Sequence, residues 1–268
     1  MPTTTANTSA TALKALRVLE VVAASPRPLS MSEAAEQVDV DKSTVYRMLN
    51  TLVDAGYVVR DDTSKRYSLS YKVVSLSKNL LAENEVSQLI RRTLTQISAA
   101  TNETLHFSVL DGDEAVLVQQ VKGTQLVIVD FQIGDRVPLH CTSIGKVLLA
   151  FQDVRCTEPI IAAGLPKVAS NTITEPMELR KELQRVRSQG YAIDDREFSD
   201  NMRCIAVPVF EGGGRVNGGI SISGPDSRFT LEKLDELKAP LLEASRKLSE
   251  QLGGVPWTTR SQGMEEPL

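Results

Sequence analysis

The sequence predicts an α+β protein: an N-terminal winged helix-turn-helix (12–71), a linker helix (72–84) and a C-terminal domain built on an antiparallel sheet (85–254). Three observations carry that expectation. Residues 12–56 hold helix-period apolar stripes broken by proline and turn residues, a short strand-turn-strand pattern follows, and strands bracketed by helices fill the remainder. The segments 1–11 and 255–268 read as disordered tails.

In ALKALRVLEVVAAS (12–25), Leu13, Leu16, Leu19 and Val22–Ala23 recur at helical period, and Pro26 and Pro28 stop the helix. Ser30 caps a second short helix, MSEAAEQV (31–38), with Glu33 at the capping-box position. A tight turn at Asp39–Val40 leads to DKSTVYRMLNTLVDAG (41–56), with Asp41 as N-cap and Gly56 as terminator. Val45, Met48, Leu49 and Leu52 share one face of this helix. Tyr57–Arg60 and Arg66–Leu69 then flank a polar turn, Asp61–Lys65, and form a small hairpin or wing.

The second helix of such a pair lies in the major groove of DNA. Its exposed face offers Lys42, Ser43, Thr44, Tyr46, Arg47 and Asn50. Arg47 suits a bidentate contact to guanine and Asn50 a pairing with adenine. Ser43 and Thr44 suit phosphate oxygens or a thymine methyl, and Tyr46 the sugar-phosphate backbone. Lys65 and Arg66 on the wing reach backbone or minor groove. The same three helices also describe a protein-binding module, and Asp54 on the same helix is an alternative partner for Arg47.

Charge bears on that choice. The chain's net −4 argues against an acidic partner, but the average hides a split. Residues 1–80 hold ten Lys/Arg against eight Asp/Glu, or +2, leaving twenty against twenty-six, or −6, for the rest.

Beyond residue 72, two consecutive helices (72–85 and 85–103) precede a hairpin around Asp111–Gly112. QLVIVDFQIGDRVPLH (125–140) reads as a strong strand and a turn, SIGKVLLAF (143–151) as a short helix, and TEPMELRKELQRVRSQG (174–190) as an amphipathic one ended by Gly190. Three strands occupy 191–224, two of them joined through Gly212–Gly214. A last helix, capped by Thr230, carries Leu234, Leu237, Leu241, Leu248 and Leu252 on one stripe.

Catalytic chemistry finds few residues here. HCTSIGK (140–146) lacks the first glycine and the hydroxyl residue of a phosphate loop, and GGGR (212–215) opens no helix. Cys141, Cys156 and Cys204 have neither the spacing nor the histidines for zinc, so no metal and no cofactor are expected. Their odd number implies a reducing cytoplasm, and no stretch is long and apolar enough to span a membrane. A cysteine nucleophile paired with His140 or His106 stays open beside inert buried thiols. A binding pocket is the other reading. Thr142 or Ser143 caps the helix near Ile144, leaving amides for an anion. Asp194–Asp195, Arg203–Cys204 and Ser221–Ser223 supply polar clusters, with Met202 and Cys204 facing together, as do Ser221 and Ser223. Solvated strand positions would show the same spacing.

Two stretches, LHCTSIGKVLLA (139–150) and GYAIDDREFSDNMRCIAVPVFEGGGRVNGGISISGP (190–225), resemble the best-marked segments of the IclR family of bacterial transcriptional regulators. The opening helix, STVYRMLNTLVDAGYV and the wing ending in RYSLS are similar to that family's N-terminal domain. The resemblance covers about residues 12–254. It implies a winged helix-turn-helix and a GAF-like effector-binding domain, working as a dimer or tetramer on a palindromic operator. It implies a small organic acid as effector, and pocket positions at Ser143, Ile144, Gly145, Asp194, Met202, Cys204, Ser221 and Ser223. The chain departs from the family at Ser143–Ile144, where a Gly or Ala pair is usual, and at Asn201, where Gly is.

Overall fold

A computed structural model of the chain describes residues 8–81 and 84–255, which fall into two compact units divided between residues 82 and 83. In the first, helix α1 (Ala10–Ala24) starts on Ser9, whose hydroxyl accepts from the Ala12 amide. It thus begins inside the segment expected to be a tail. It buries Val18 and Val22, whereas Leu13 and Leu16 of the expected stripe are 43% and 52% exposed. The helix carries apolar residues on more than one face, and only one of them can meet the next two helices. Helix α2 (Met31–Glu36) closes its capping box: Glu33 N donates to Ser30 Oγ and Ser30 N to Glu33 Oε2. Helix α3 (Lys42–Asp54) buries Val45, Met48, Leu49 and Leu52, the four expected.

Strands β1 (Val58–Arg60) and β2 (Tyr67–Leu69) pair antiparallel, and Leu29 bridges to Tyr67 on the far side. Asp61 Oδ1 accepts from the amides of Thr63 and Ser64 and so closes the wing turn. Helix α4 (Lys72–Leu81) covers most of the expected linker; residues 82 and 83 lie outside the described residues, as do most of the two expected tails.

The second unit runs α5 (Glu85–Thr101), β3 (Leu105–Asp111), β4 (Glu114–Val121), β5 (Arg136–Pro138), α6 (Ser143–Ala150), α7 (Val154–Ala162), α8 (Pro176–Gln189), β6 (Ala192–Asp195), β7 (Met202–Phe210), β8 (Val216–Pro225) and α9 (Leu231–Gln251). Its antiparallel sheet has the order β5-β4-β3-β8-β7-β6. Alternation divides the two faces. Leu105, Phe107, Ile205, Val207, Val209, Ile220 and Ile222 form an apolar core with Ile90, Leu94 and Ile97 of α5 and Leu234, Leu237, Leu241 and Leu248 of α9. The intervening residues face α6. There Ala192 and Ala206 are small enough to admit Ile144, Val147 and Leu148, while His106, Ser221, Cys204 and Ser223 supply polar atoms.

The strand expected at 125–140 shrinks to Arg136–Pro138, paired with Glu114–Val116. A strand needs a ladder, and this segment finds one over three residues. Elsewhere side chains satisfy its carbonyls: Arg228 Nη2 donates to Val127 O and Gln120 Nε2 to Phe131 O. Gly134, at φ +99°, makes the turn. Helix α7 is not among the expected elements, and Pro159 inside it is a residue that argues against a helix there.

Candidate functional site

The first candidate surface is the N-terminal end of α3. Asp41 caps the helix, accepting at Oδ1 from Thr44 N (2.9 Å) and Ser43 Oγ (2.6 Å), and at Oδ2 from Thr44 Oγ1 (2.7 Å). These bonds hold its carboxyl well below the usual carboxylate range. The two hydroxyls expected to meet phosphate are thus turned onto the cap. Lys42, Tyr46 and Arg47 are exposed and Asn50 is half-buried. Arg47 forms no ion pair with Asp54; among the described residues its guanidinium is available.

The wing is less free than the sequence implies. Lys65 is exposed at the turn, with φ +56°. Arg66 instead reaches back across the unit: Nη1 donates to Pro28 O (2.9 Å) and Glu33 Oε2 (2.8 Å). Glu33 also pairs with Arg27. Arg66 therefore ties the wing to the start of α2.

The second candidate site is a cavity between α6 and the sheet, of about 40 Å³, room for roughly three waters. Six of the expected residues line it: Ser143 and Ile144 from α6, Met202 and Cys204 from β7, Ser221 and Ser223 from β8. They meet because β7 and β8 pair with Cys204 opposite Ser223 and Ala206 opposite Ser221, so residues of one parity face α6 together.

Gly145 and Asp194 do not line it. Gly145 answers a close approach: a Cβ there would sit 2.4 Å from Leu139 Cα. Its amide donates to Thr142 Oγ1 (3.1 Å), which donates in turn to Pro138 O (2.7 Å), so Thr142 is the cap of α6. Asp194 stands beside Cys204 in the strand pairing but is fully buried. Its Oδ1 accepts from the amides of Glu197 (2.7 Å) and Phe198 (3.3 Å), and Oδ2 has no partner among the described residues. Burial, with Glu197 nearby, pushes its carboxyl up to about 7. Here Asp194 fixes the turn that brings Phe198 to the cavity wall.

Sequence reasoning missed the opposite wall. His106 and Ser108 of β3 and Leu117 of β4 line the cavity, with Phe131, Val137 and Phe198. The signal was present: in LHFSVL, His106 and Ser108 share a parity, and His106 pairs directly with Ser221. Lys146 stands where a phosphate-binding loop carries its lysine in HCTSIGK (140–146). It is fully buried, its Nζ donating to Ile193 O (2.6 Å), Glu197 Oε1 (2.5 Å) and Glu182 Oε1 (3.3 Å). Three donors meet three acceptors, and this clamp joins α6, α8 and the turn after β6. Asp135, exposed, is the only formally charged residue among those lining the cavity.

Burial disfavours the thiolate form at both buried cysteines: it pushes Cys141 up to about 12 and raises Cys204 well above its usual range. His140 Nε2 lies 3.0 Å from Pro166 O, so that ring is engaged with backbone. No group of three or more metal-ligating side chains and no helix long and apolar enough to cross a membrane occur among the described residues.

Both units have counterparts among known proteins. Residues 11–62 match the IclR helix-turn-helix domain, and residues 78–250 match the bacterial transcriptional regulator IclR C-terminal family. The HTH-type transcriptional regulator KdgR of Escherichia coli (strain K12) is 36% identical over 242 residues, which span 90% of this chain and 92% of KdgR. Among solved structures, the Thermotoga maritima IclR superposes with a TM-score of 0.70 at 32% identity, covering 91% of this chain and 98% of that one. An IclR-type regulator from Alicyclobacillus acidocaldarius gives 0.78 at 27% identity, covering 92% and 100%. Matched along both of its units, the chain belongs to the IclR family and is a DNA-binding transcriptional regulator rather than an enzyme.

Proposed function

We propose that the chain binds a palindromic operator as a dimer or tetramer, reads it with the exposed face of α3, and is switched by a small organic acid held between α6 and the sheet. The observation that supports this most is the cavity itself. Its walls are largely apolar, it is lined by hydroxyl, thiol and imidazole groups with Asp135 at an exposed position, and among the described residues no cationic side chain lines it. A small acid would rest on neutral donors and the N-terminal end of α6. Ser143 and Ile144 are bulkier than the small pair usual at those positions, which keeps the space narrow. The effector acts by binding two arrangements of the regulator unequally, since a ligand of equal affinity for both would shift nothing. Its sign, repression or activation, follows from where the operator lies.

A selection from random duplex DNA with the full chain tests this reading, followed by binding to the selected sequence with and without a panel of mono- and dicarboxylic acids of two to six carbons. The expected result is an enriched inverted repeat and at least one acid that changes its affinity fivefold or more. Enrichment of no repeat would overturn the operator reading, and indifference to every acid would overturn the effector class.

A further inference from the structure

The cavity's least conspicuous polar atom has the most defined chemistry. His106 is 3% exposed and lines the cavity. Gln120 Nε2 lies 2.8 Å from Phe131 O and 3.2 Å from His106 Nε2. A carbonyl only accepts, so the atom facing Phe131 O must be the amide nitrogen and not the oxygen. Its second hydrogen then faces His106 Nε2, which must accept. The ring proton is left on Nδ1, and Nδ1 has no partner among the described residues. Burial keeps the ring neutral, its pKa lowered to about 4.

We propose that His106 is a specificity-determining residue, a fixed neutral donor whose Nδ1–H bonds a carboxylate or carbonyl oxygen of the effector. This rests on the reading of the cavity as the effector site and adds an atom to it. A buried, unpaired N–H is costly unless a partner arrives, and a donor of fixed tautomer accepts no ligand donor in its place. Phe131 packs edge-on against the ring, centroids 5.7 Å apart, and holds its plane. Ser221, paired with His106 across the strands, brings a hydroxyl-bearing side chain to the same cavity. Two neighbouring donors suit two oxygens of one ligand.

The two histidines give the test an internal control, because His140 must carry its proton on Nε2 to meet Pro166 O. Long-range ¹H–¹⁵N spectra of the full chain at pH 7, assigned with His140→Asn, should show opposite tautomers, Nδ1–H for His106 and Nε2–H for His140. An Nε2–H or cationic His106 overturns the proposal whatever binds. Titration with the same acid panel supplies the second arm. His106→Phe, which keeps the ring contact, should weaken an acid that binds the wild-type chain tenfold or more. His106→Asn, whose amide nitrogen occupies the place of Nδ1, should stay within about threefold. Equal binding by His106→Phe, or equal loss in both variants, overturns the donor role. Met202→Trp separates the two readings: if filling the cavity leaves binding intact, the effector lies elsewhere and the cavity reading fails. If it abolishes binding while His106→Phe does not, only the donor fails. If no acid binds the wild-type chain, the acid class is wrong and the tautomer decides His106 alone.

Discussion

The two candidate sites are built in opposite ways. The face of α3 is exposed, formally charged, and carried by one helix, so its residues sit within nine positions of one another. The cavity lies between α6 and the sheet and, Asp135 at its exposed side apart, is lined by neutral groups, those of β3, β4, β7, β8 and α6 spanning more than a hundred positions. A surface that must meet a polyanion gains from cations left in water. A pocket that must discriminate one small molecule gains from donors fixed in a dry wall, where an unmet hydrogen bond costs most. The contrast predicts that substitutions on α3 change binding and leave folding alone, whereas those behind the cavity change folding first.

Lys146→Met tests the second half hardest. It leaves Glu197 and Glu182 facing one another's charge without the ammonium between them. Breaking a buried ion pair from one side costs about 3–5 kcal/mol, to be read from urea unfolding of the second unit's transition. Adding Glu197→Leu should return much of that loss, since the stranded charge is the cause. A Lys146→Met protein as stable as the parent would show that the clamp is not structural.

Acid should expose the cavity wall next. The unfolded chain protonates His106 near its ordinary value of 6.5, the folded chain near 4. Between those values the unfolded state binds more protons, so His106 lowers stability as pH falls through this window. The full effect is about 3 kcal/mol at pH 4. Asp194 and Glu197 work against it: burial raises both, so the folded state binds more protons than the unfolded and gains as pH falls. The measurable quantity is therefore the difference between the parent and His106→Phe, followed by denaturant melts from pH 7 to 4. The variant should retain progressively more of its stability; parallel curves would mean that the ring is not held neutral.

Arg47→Ala belongs to the other site and should behave otherwise. Loss of a bidentate base contact costs about 1–3 kcal/mol of binding to the selected duplex and relaxes preference at one position of each half-site. Unfolding should shift by less than about 0.5 kcal/mol, as for exposed positions generally. Unchanged affinity would move base reading to Asn50 or off this helix.

The same contrast explains what the sequence disclosed. The α3 face was legible because helical period alone separates Val45, Met48, Leu49 and Leu52 from Lys42, Tyr46 and Arg47. Strand parity likewise disclosed Met202 with Cys204 and Ser221 with Ser223, each pair on one strand. Parity within β3 puts His106 with Ser108, but nothing local says that β3 pairs with β8, more than a hundred residues away. That pairing decides whether His106 meets Ser221 or solvent. The segment 125–135 misled because its β-branched residues state a propensity, while a ladder partner decides the outcome. Leu13 and Leu16 misled for a related reason, since period identifies an apolar face without saying which one is covered.

The smallest effect divides the wing, where two adjacent cations have different tasks. Lys65 is exposed at the turn, and Arg66 is bonded to Pro28 O and Glu33. If Lys65 meets a phosphate, Lys65→Ala should lower the slope of log affinity against log salt by about 0.9 per protomer bound and leave sequence preference unaltered. Arg66→Ala should instead cost up to about 1 kcal/mol of stability in the first unit, the scale of a partly exposed ion pair. Its salt slope should stay within half of that lost with Lys65. Should Arg66→Ala flatten the slope as much as Lys65→Ala, the guanidinium must leave Glu33 on binding DNA. The bonds seen here would then be a resting arrangement of the wing rather than its working one.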